Sequence, residues 1–222
     1  MIEIILDTET TGLKASEGHR IVEIGCIELN ELIPTKNKFH CYLNPERKVS
    51  EDAFKIHGYT DDFLSKQKKF AEIVDEFLNF IKGKRLVIHN AGFDISHLNN
   101  ELKILGRDKI NEEIIDTLQI ARDKFPGSST SLDALCKRYG IDNSRREKHN
   151  AVLDCELLSK VYINLLDQRE PTLDLNVEIN QNNQKVSNYN NKYFNKIIKP
   201  TEEELKLHKE YLKREIKKNY FN

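Results

Sequence analysis

Short runs of apolar and β-branched residues, separated by polar turn segments, dominate the first part of the chain. They cover residues 2–6, 21–29 and 39–43, and a similar run covers residues 85–88. Runs of this length and composition are typical of β-strands. The first three follow one another directly, which favours a meander, so the pattern predicts strands at these four places.

Helical periodicity governs several longer segments. Between residues 70 and 81 the apolar side chains recur at intervals of three and four, which predicts an amphipathic helix. Residues 94–105 and 151–166 have the same period, and a shorter helix is predicted after Ser131, a favoured N-cap residue. Strands first, and then strands that alternate with helices, predict an α/β fold with a mixed sheet flanked by helices.

The composition changes after residue 166. Residues 176–195 are rich in Asn and Gln and contain too few apolar side chains to offset the entropy of ordering, which predicts a flexible linker. Thr201 and Glu204 then form a candidate capping box ahead of a further helical period. From residue 192 to the end there are nine Lys/Arg and five Asp/Glu, a formal charge of +4, which suits both a solvated helix and a partner-binding one.

These changes in pattern predict three parts of the chain. Residues 1–166 are long enough to bury the core of one ordinary domain. Residues 167–199 are predicted to be an Asn-rich flexible linker, and residues 200–222 a C-terminal helical segment that binds a partner.

Charge and cysteine usage narrow the class of protein. The formal charge is -1, with 35 Lys/Arg and 36 Asp/Glu, so the molecule as a whole does not attract a phosphate backbone and contacts with nucleic acid must be local. Four cysteines lie far apart without a C-x-x-C pair, a pattern typical of reduced thiols in the cytosol. The first residues contain neither a basic leader nor a long apolar stretch. We therefore expect a soluble, cytoplasmic protein.

Three carboxylates follow two of the predicted strands. Asp7 and Glu9 come directly after the first strand, and because side chains two apart on a strand share a face, both converge at the strand end. Asp94 follows the strand at residues 85–88 through a turn that contains Gly92. A helix-capping aspartate is the alternative interpretation for Asp94.

His149 and Asp154 lie near the last helix of the predicted domain. Asp154 shares a helix face with Asn150 rather than with His149, so His149 is predicted to lie in the preceding loop. Several acids with one histidine and no neighbouring cysteine favour Mg²⁺ or Mn²⁺ over Zn²⁺. Two such ions roughly 4 Å apart assist phosphodiester hydrolysis by activating water and stabilising the leaving oxygen. His149 is the candidate general base, since a neutral imidazole accepts a proton near physiological pH.

Three segments of the chain together resemble the motifs of a known exonuclease family. Residues 7–12, 89–94 and 149–154 are similar, in this order, to the three motifs of the DEDD superfamily in its histidine-containing, DnaQ-like branch. Residues 54–58 and 131–136 also match the proofreading subunits of bacterial replicative DNA polymerases. The resemblance covers roughly residues 1 to 166.

The resemblance implies a ribonuclease H-like fold with a five-stranded mixed sheet, and a 3′-to-5′ exonuclease that removes mispaired 3′-terminal nucleotides during DNA replication. It implies that four carboxylates hold two divalent ions, Mg²⁺ or Mn²⁺, and that His149 is the general base. Asp52 and His57 would lie against the terminal nucleotide, Thr10 would contact the 3′ end, and Leu13 would wedge against the terminal bases. The four carboxylates are Asp7, Glu9, Asp94 and Asp154, of which Asp7, Glu9 and Asp154 also face the substrate.

The same resemblance implies partners. These are the single-stranded or frayed 3′ end of a DNA primer, a polymerase alpha subunit bound by a segment similar to residues 201–217, and a small theta-like subunit. Residues 168–175 are the candidate contact for a sliding clamp. Such a chain acts within a DNA-directed DNA polymerase holoenzyme. Two other interpretations stay open at this point: a free-standing exonuclease that trims RNA or short oligonucleotides, and an inactive scaffold subunit of a polymerase.

Overall fold

The computed structural model describes residues 2–146, 148–167 and 200–215. The chain divides into two compact units, Met1–Leu173 and Asp174–Asn222. The linker predicted from the sequence and the candidate clamp contact lie outside the described residues. The predicted boundaries between domain, linker and C-terminal segment stay predictions.

A five-stranded mixed sheet forms the centre of the first unit, as the sequence predicts. Its strand order is β3-β2-β1-β4-β5; β1–β2 and β2–β3 are antiparallel, whereas β1–β4 and β4–β5 are parallel. β1 continues beyond the predicted apolar run, so that Asp7 and Glu9 lie within the strand rather than after it. The strands are β1 (Ile2–Thr10), β2 (Ile21–Asn30), β3 (Ile33–Tyr42), β4 (Arg85–Ile88) and β5 (Ile114–Asp116).

Helices cover both faces of this sheet. The helix predicted after Ser131 is confirmed, and the Ser131 hydroxyl accepts a hydrogen bond from the Ala134 amide. The prediction that a helix begins at Asp94 is wrong, because α4 begins at Ala91 and Asn90 is its N-cap. The helices are α1 (Glu51–His57), α2 (Asp61–Ser65), α3 (Phe70–Ile81), α4 (Ala91–Ile104), α5 (Thr117–Lys124), α6 (Leu132–Tyr139) and α7 (Ala151–Leu165).

Alternate residues of β1 point into two separate hydrophobic cores. Ile4 and Leu6 pack on one face of the sheet with the apolar sides of α3 and α4, where Phe77 is fully buried. Ile5 packs on the opposite face with residues of α5, α6 and α7, among them Tyr162. A strand buried on both faces is apolar at every position, which is why the start of β1 contains a continuous apolar run.

Four elements of the first unit were not predicted from their sequence pattern, and all four are short. β5 spans three residues, and α1, α2 and α5 span seven, five and eight. The side chains of Ser50 and Thr60 cap α1 and α2, and Gly58 ends α1 with a φ of 77°. Helices this short depend on packing and capping rather than on intrinsic propensity. α1 carries two of the candidate site residues, Asp52 and His57.

The second unit contains α8 (Glu202–Glu215) in its described part. The predicted capping box is confirmed: the Glu204 amide donates to Thr201 Oγ1 at 3.3 Å, and the Thr201 amide donates to Glu204 Oε2 at 2.8 Å. Across the described ranges of both units, no helix combines the length and the apolar character that crossing a membrane requires.

Candidate active site

One cleft brings together every candidate site residue that was predicted from the sequence. Its volume is about 630 Å³, and it opens at the end of β1 between α1, α4 and the start of α7. The predicted residues that line it are Asp7, Glu9, Thr10, Leu13, Asp52, His57, Asp94, His149 and Asp154.

β1 directs Asp7 and Glu9 to the same face, towards α7. In the antiparallel pair with β2, Asp7 lies opposite Gly25 and Glu9 lies opposite Glu23. Gly25 permits a close approach by α7, because a Cβ at this position would lie 2.6 Å from the carbonyl carbon of Ala151. The absence of a side chain at Gly25 therefore allows the start of α7, and the motif it carries, to lie beside Asp7 and Glu9.

α4 brings Asp94 to the same strand from the opposite face. Asp94 lies in the first turn of α4 and is buried. Its Oδ1 accepts hydrogen bonds from the Thr8 amide at 2.9 Å and the Thr8 hydroxyl at 2.7 Å. The capping interpretation of Asp94 is therefore wrong: Asn90 is the N-cap of α4, and the Asp94 side chain bonds to β1.

His149 lies in the loop before α7, as predicted, and Asp154 lies in the first turn of that helix. Asn150 caps α7 by accepting a hydrogen bond from the Leu153 amide. His149 Nδ1 lies 3.4 Å from Asp154 Oδ2 and 3.9 Å from Glu9 Oε1. The His149 side chain is 44% exposed, so the imidazole is accessible from the cleft.

Arg146 bonds to two of these residues, although the sequence pattern did not single it out. Its Nε and Nη2 donate to both oxygens of Asp154, at 2.6 Å and 2.8 Å. Nη2 also donates to His149 Nδ1 at 2.9 Å, and Nη1 donates to Asp133 at 2.7 Å. The paired contact between Arg146 and Asp154 is the strongest form of guanidinium–carboxylate bond. The position of Arg146 three residues before His149 was the only available signal in the sequence.

Burial and mutual repulsion raise the pKa values of the clustered acids. Burial, followed by the charges of Asp154, Glu23 and Asp94, raises the pKa of Glu9 to about 8. Burial raises the pKa of Asp94 to about 7, although the hydrogen bonds from Thr8 oppose the shift. Burial and the neighbouring carboxylates, Asp94 first, raise the pKa of Asp7 well above its usual range. Acids whose pKa values are raised in this way are stabilised by a bound cation, because its positive charge favours their ionised forms.

His149 experiences the opposite effect. Burial, and then the positive charge of Arg146, lowers the pKa of the imidazole below its ordinary value, while Asp154 partly opposes the shift. The imidazole is therefore predominantly neutral near physiological pH. A neutral imidazole is the form that accepts a proton.

The side of the cleft formed by α1 has a different character. His57 Nδ1 accepts a hydrogen bond from the Tyr59 amide at 3.0 Å, so the neutral ring carries its proton on Nε2. Leu13 is 75% exposed at the rim, and the side chain of Asp52 is 91% exposed. The Thr10 hydroxyl donates to the carbonyl of Gly12 at 2.8 Å. This side offers an apolar contact and several hydrogen-bonding groups.

The donor set of the cleft fits a divalent cation. Ligand atoms of Glu9, His149 and Asp154 lie within 4.8 Å of one another. Carboxylate oxygens are the ligands that Mg²⁺ and Mn²⁺ prefer. Asp7 and Asp94 line the same cleft and add two further carboxylates.

Comparison with known proteins identifies the class of protein to which this chain belongs. A model of the exonuclease family matches residues 4–162. The nuclease domain of 3′hExo, a DEDDh family member bound to rAMP, superposes with a TM-score of 0.65 at 19% identity, over 75% of this chain and 92% of that one. Exonuclease X in complex with 5′ overhanging duplex DNA superposes with a TM-score of 0.61 at 24% identity, over the same 75% of this chain and 92% of its own. The fold and the matched family define a metal-dependent 3′-to-5′ exonuclease with an RNase H-like fold.

Curated relatives make the assignment more specific. DNA polymerase III subunit epsilon of Rickettsia felis is 48% identical over 217 residues, which is 95% of this chain and 95% of the relative. The subunit of the same name in Escherichia coli K12 is 48% identical over 169 residues, covering 72% of this chain and 70% of that one. The chain belongs to the family of DNA polymerase III epsilon subunits, which are exonuclease proofreaders. The DEDD exonucleases use divalent metal ions.

Proposed function

We propose that this chain removes mispaired nucleotides from the 3′ end of a DNA primer, and that Asp7, Glu9, Asp94 and Asp154 hold two divalent ions, Mg²⁺ or Mn²⁺, for this reaction. The observation that carries the proposal is the convergence of four carboxylates from β1, α4 and α7 on one cleft. When bound, the ions supply the charge that activates water and stabilises the leaving oxygen.

His149 takes the proton from the attacking water in this proposal. Its lowered pKa and its exposure to the cleft suit that role. Arg146 donates to Nδ1 and to both oxygens of Asp154, so its guanidinium competes with a cation for Asp154. Asp133 already binds the Nη1 end of Arg146 and provides an anchor for the displaced side chain.

The remaining residues of the cleft position the terminal nucleotide. Leu13 offers an exposed apolar surface on which a terminal base stacks or against which it separates from its pair. His57 and Asp52 of α1 lie against the terminal nucleotide, and Thr10 contacts the 3′ end. Discrimination follows from fraying, because unpairing is least costly for a mismatched end.

The choice of substrate is tested by comparing 3′ degradation of a mispaired DNA primer, a paired DNA primer and an RNA of the same sequence. We expect the mispaired DNA to be degraded fastest, because its end frays most readily. The paired primer is the matched control for fraying. Faster degradation of the RNA than of either DNA would favour the RNA-trimming alternative and contradict the proposal.

The C-terminal segment, residues 200–222, is proposed to bind the alpha subunit of the polymerase. The relatives are named as subunits of DNA polymerase III, and two of them match 95% and 98% of this chain, so the similarity includes most of this segment. In the described part, Leu205, Leu207 and Tyr211 of α8 are exposed apolar side chains. Contacts with a sliding clamp through residues 168–175, and with a small theta-like subunit, are proposed on the family resemblance alone.

Removal of the tail tests this contact. A chain that ends at Leu166 is expected to keep its exonuclease activity on single-stranded DNA, because every cleft residue precedes that point. It is expected to lose the polymerase in a pull-down that captures the polymerase with the full chain. Equal capture by both chains would exclude the tail as the docking element.

A further inference from the structure

Glu23 is a buried acid that the proposed reaction does not use. It lies in β2 opposite Glu9, and its side chain is fully buried. Its oxygens accept four hydrogen bonds and bind no Lys or Arg among the described residues. A buried carboxylate without a lysine or arginine partner is costly to retain, so its four donors indicate a specific role.

The donors come from both sides of the cleft. Oε1 accepts from Asn150 Nδ2 at 2.8 Å and from His40 Nε2 at 2.8 Å. Oε2 accepts from the Ala151 amide at 3.0 Å and from the Tyr59 hydroxyl at 2.7 Å. Asn150 and Ala151 directly follow His149 at the start of α7, whereas Tyr59 follows α1. One side chain therefore joins the two segments that carry His149 and His57.

Two of the four hydrogen-bond donors cannot become acceptors. The Ala151 amide is part of the backbone and is always a donor. Asn150 already uses Oδ1 to accept from the Leu153 amide, so turning its side chain around would remove the cap of α7. These two donors end on different oxygens of Glu23, so both oxygens must be acceptors. A carboxylate meets this requirement, and an amide of the same shape does not.

We infer that Glu23 is a positioning residue that fixes His149 and the first turn of α7 relative to the His57 turn through its bonds to Asn150, Ala151 and Tyr59. The His149 amide donates to the carbonyl of Ile56 at 3.1 Å, which ties the same two segments together by the backbone. Tyr59 also stacks on His57 with the ring centroids 4.7 Å apart. The inference rests on the proposed role of His149 as the base.

Glu23→Gln tests the inference, because it keeps the shape and removes one acceptor. Misplacement of a reacting group by about 1 Å costs about 100-fold, so we expect kcat on single-stranded DNA to fall by about that factor. We expect hydrogen exchange in the amides of residues 148–153 to become faster, because the bond to the Ala151 amide or to Asn150 is lost.

Glu3→Gln is the matched control. Glu3 is also a buried acid of the same sheet, and it accepts from Tyr162 and Arg85 at the opposite end of β1. We expect Glu3→Gln to lower Tm without changing kcat by more than about threefold. A similar kcat for Glu3→Gln and Glu23→Gln, measured below both Tm values, overturns the inference.

Asn150→Ser keeps the inference testable if Glu23→Gln fails to fold. Serine retains an oxygen that caps α7 and lacks the amide donor to Glu23. We expect a loss of kcat in the same direction. Where Glu23→Gln folds, we expect no further loss when both substitutions are combined. Unchanged kcat in Asn150→Ser overturns the inference. Retained activity in His149→Gln instead contradicts the proposed function, so the two failures are distinguishable.

Discussion

Asp7→Asn is expected to abolish the exonuclease activity and, in a buffer with EDTA, to raise the melting temperature. Asparagine keeps the shape of the side chain but removes a charge that a divalent cation needs, a loss of several kcal/mol at the transition state that corresponds to about 1000-fold in rate. In the absence of a cation, burial and the neighbouring Asp94 and Glu9 make the ionised form of Asp7 unfavourable and raise its pKa, whereas asparagine is neutral without binding a proton. We expect an increase in Tm of about 3 °C, equivalent to roughly 1 kcal/mol for a chain of this size.

The pH dependence of stability provides a second measurement on the same variant. The pKa of Glu9 is raised in the folded chain from 4.5 to about 8, and that of Asp94 from 3.8 to about 7. The folded chain therefore holds protons that the unfolded chain releases. The stabilisation from these groups is complete below their unfolded pKa values and is lost as the pH rises through 7 and 8. In EDTA we expect the wild-type Tm to fall between pH 6 and pH 9, and to fall less in Asp7→Asn.

A cation reverses this trend in the wild-type chain, because it binds the ionised acids. Mn²⁺ should therefore raise Tm more at high pH than at pH 6. Asp75→Asn is the matched control, since Asp75 is 70% exposed and pairs with Arg107 away from the cleft. It should alter neither activity nor the pH profile. Activity retained in Asp7→Asn would exclude Asp7 as a metal ligand.

His149→Gln is expected to lower kcat by a factor of about 100 to 10,000, the range typical of the loss of a general base. Glutamine retains a hydrogen-bonding side chain but has no basic nitrogen. Because Glu9, His149 and Asp154 lie close enough to share one ion, His149 could also be a ligand. The two roles differ in their effect on Mn²⁺ affinity, which electron paramagnetic resonance measures directly.

If His149 is the base, Mn²⁺ affinity stays within about threefold of the wild-type value, because the carboxylates hold the ions. A fall in affinity by a factor of about 10 to 100 would assign His149 to the metal site instead. His208→Gln is the matched control, because His208 is an exposed histidine on α8 of the second unit. This variant should resemble the wild-type chain in both measurements.

Local patterns were sufficient to predict much of this site. Asp7 and Glu9 share a face because they are two apart on a strand, and the helical period placed His149 in the loop before the helix that carries Asp154. Such features depend on neighbours within a few residues, so periodicity and capping rules describe them. The positions of all nine predicted residues around one cleft followed from three motifs and a family resemblance.

Other features depended on contacts between distant parts of the chain. Asp94 had the position of a capping residue, yet its carboxylate bonds to Thr8, which is 86 residues away in sequence. Glu23 is the one acid near the start of a mainly apolar strand, and nothing in its own segment indicated which donors it would meet. α1 is too short for periodicity to identify it, although it carries Asp52 and His57.

The sequence by itself determined the mixed α/β class and the place of His149 before α7, and it predicted four carboxylates that line one cleft. Only the tertiary structure decided that Gly25 admits the backbone of α7, that Arg146 binds Asp154 and His149, and that Glu23 joins both sides of the cleft. The physical reason is the range of the interactions. Strand alternation and helix capping act over two to four residues, whereas burial and the pairing of charges depend on which distant segments the fold brings into contact.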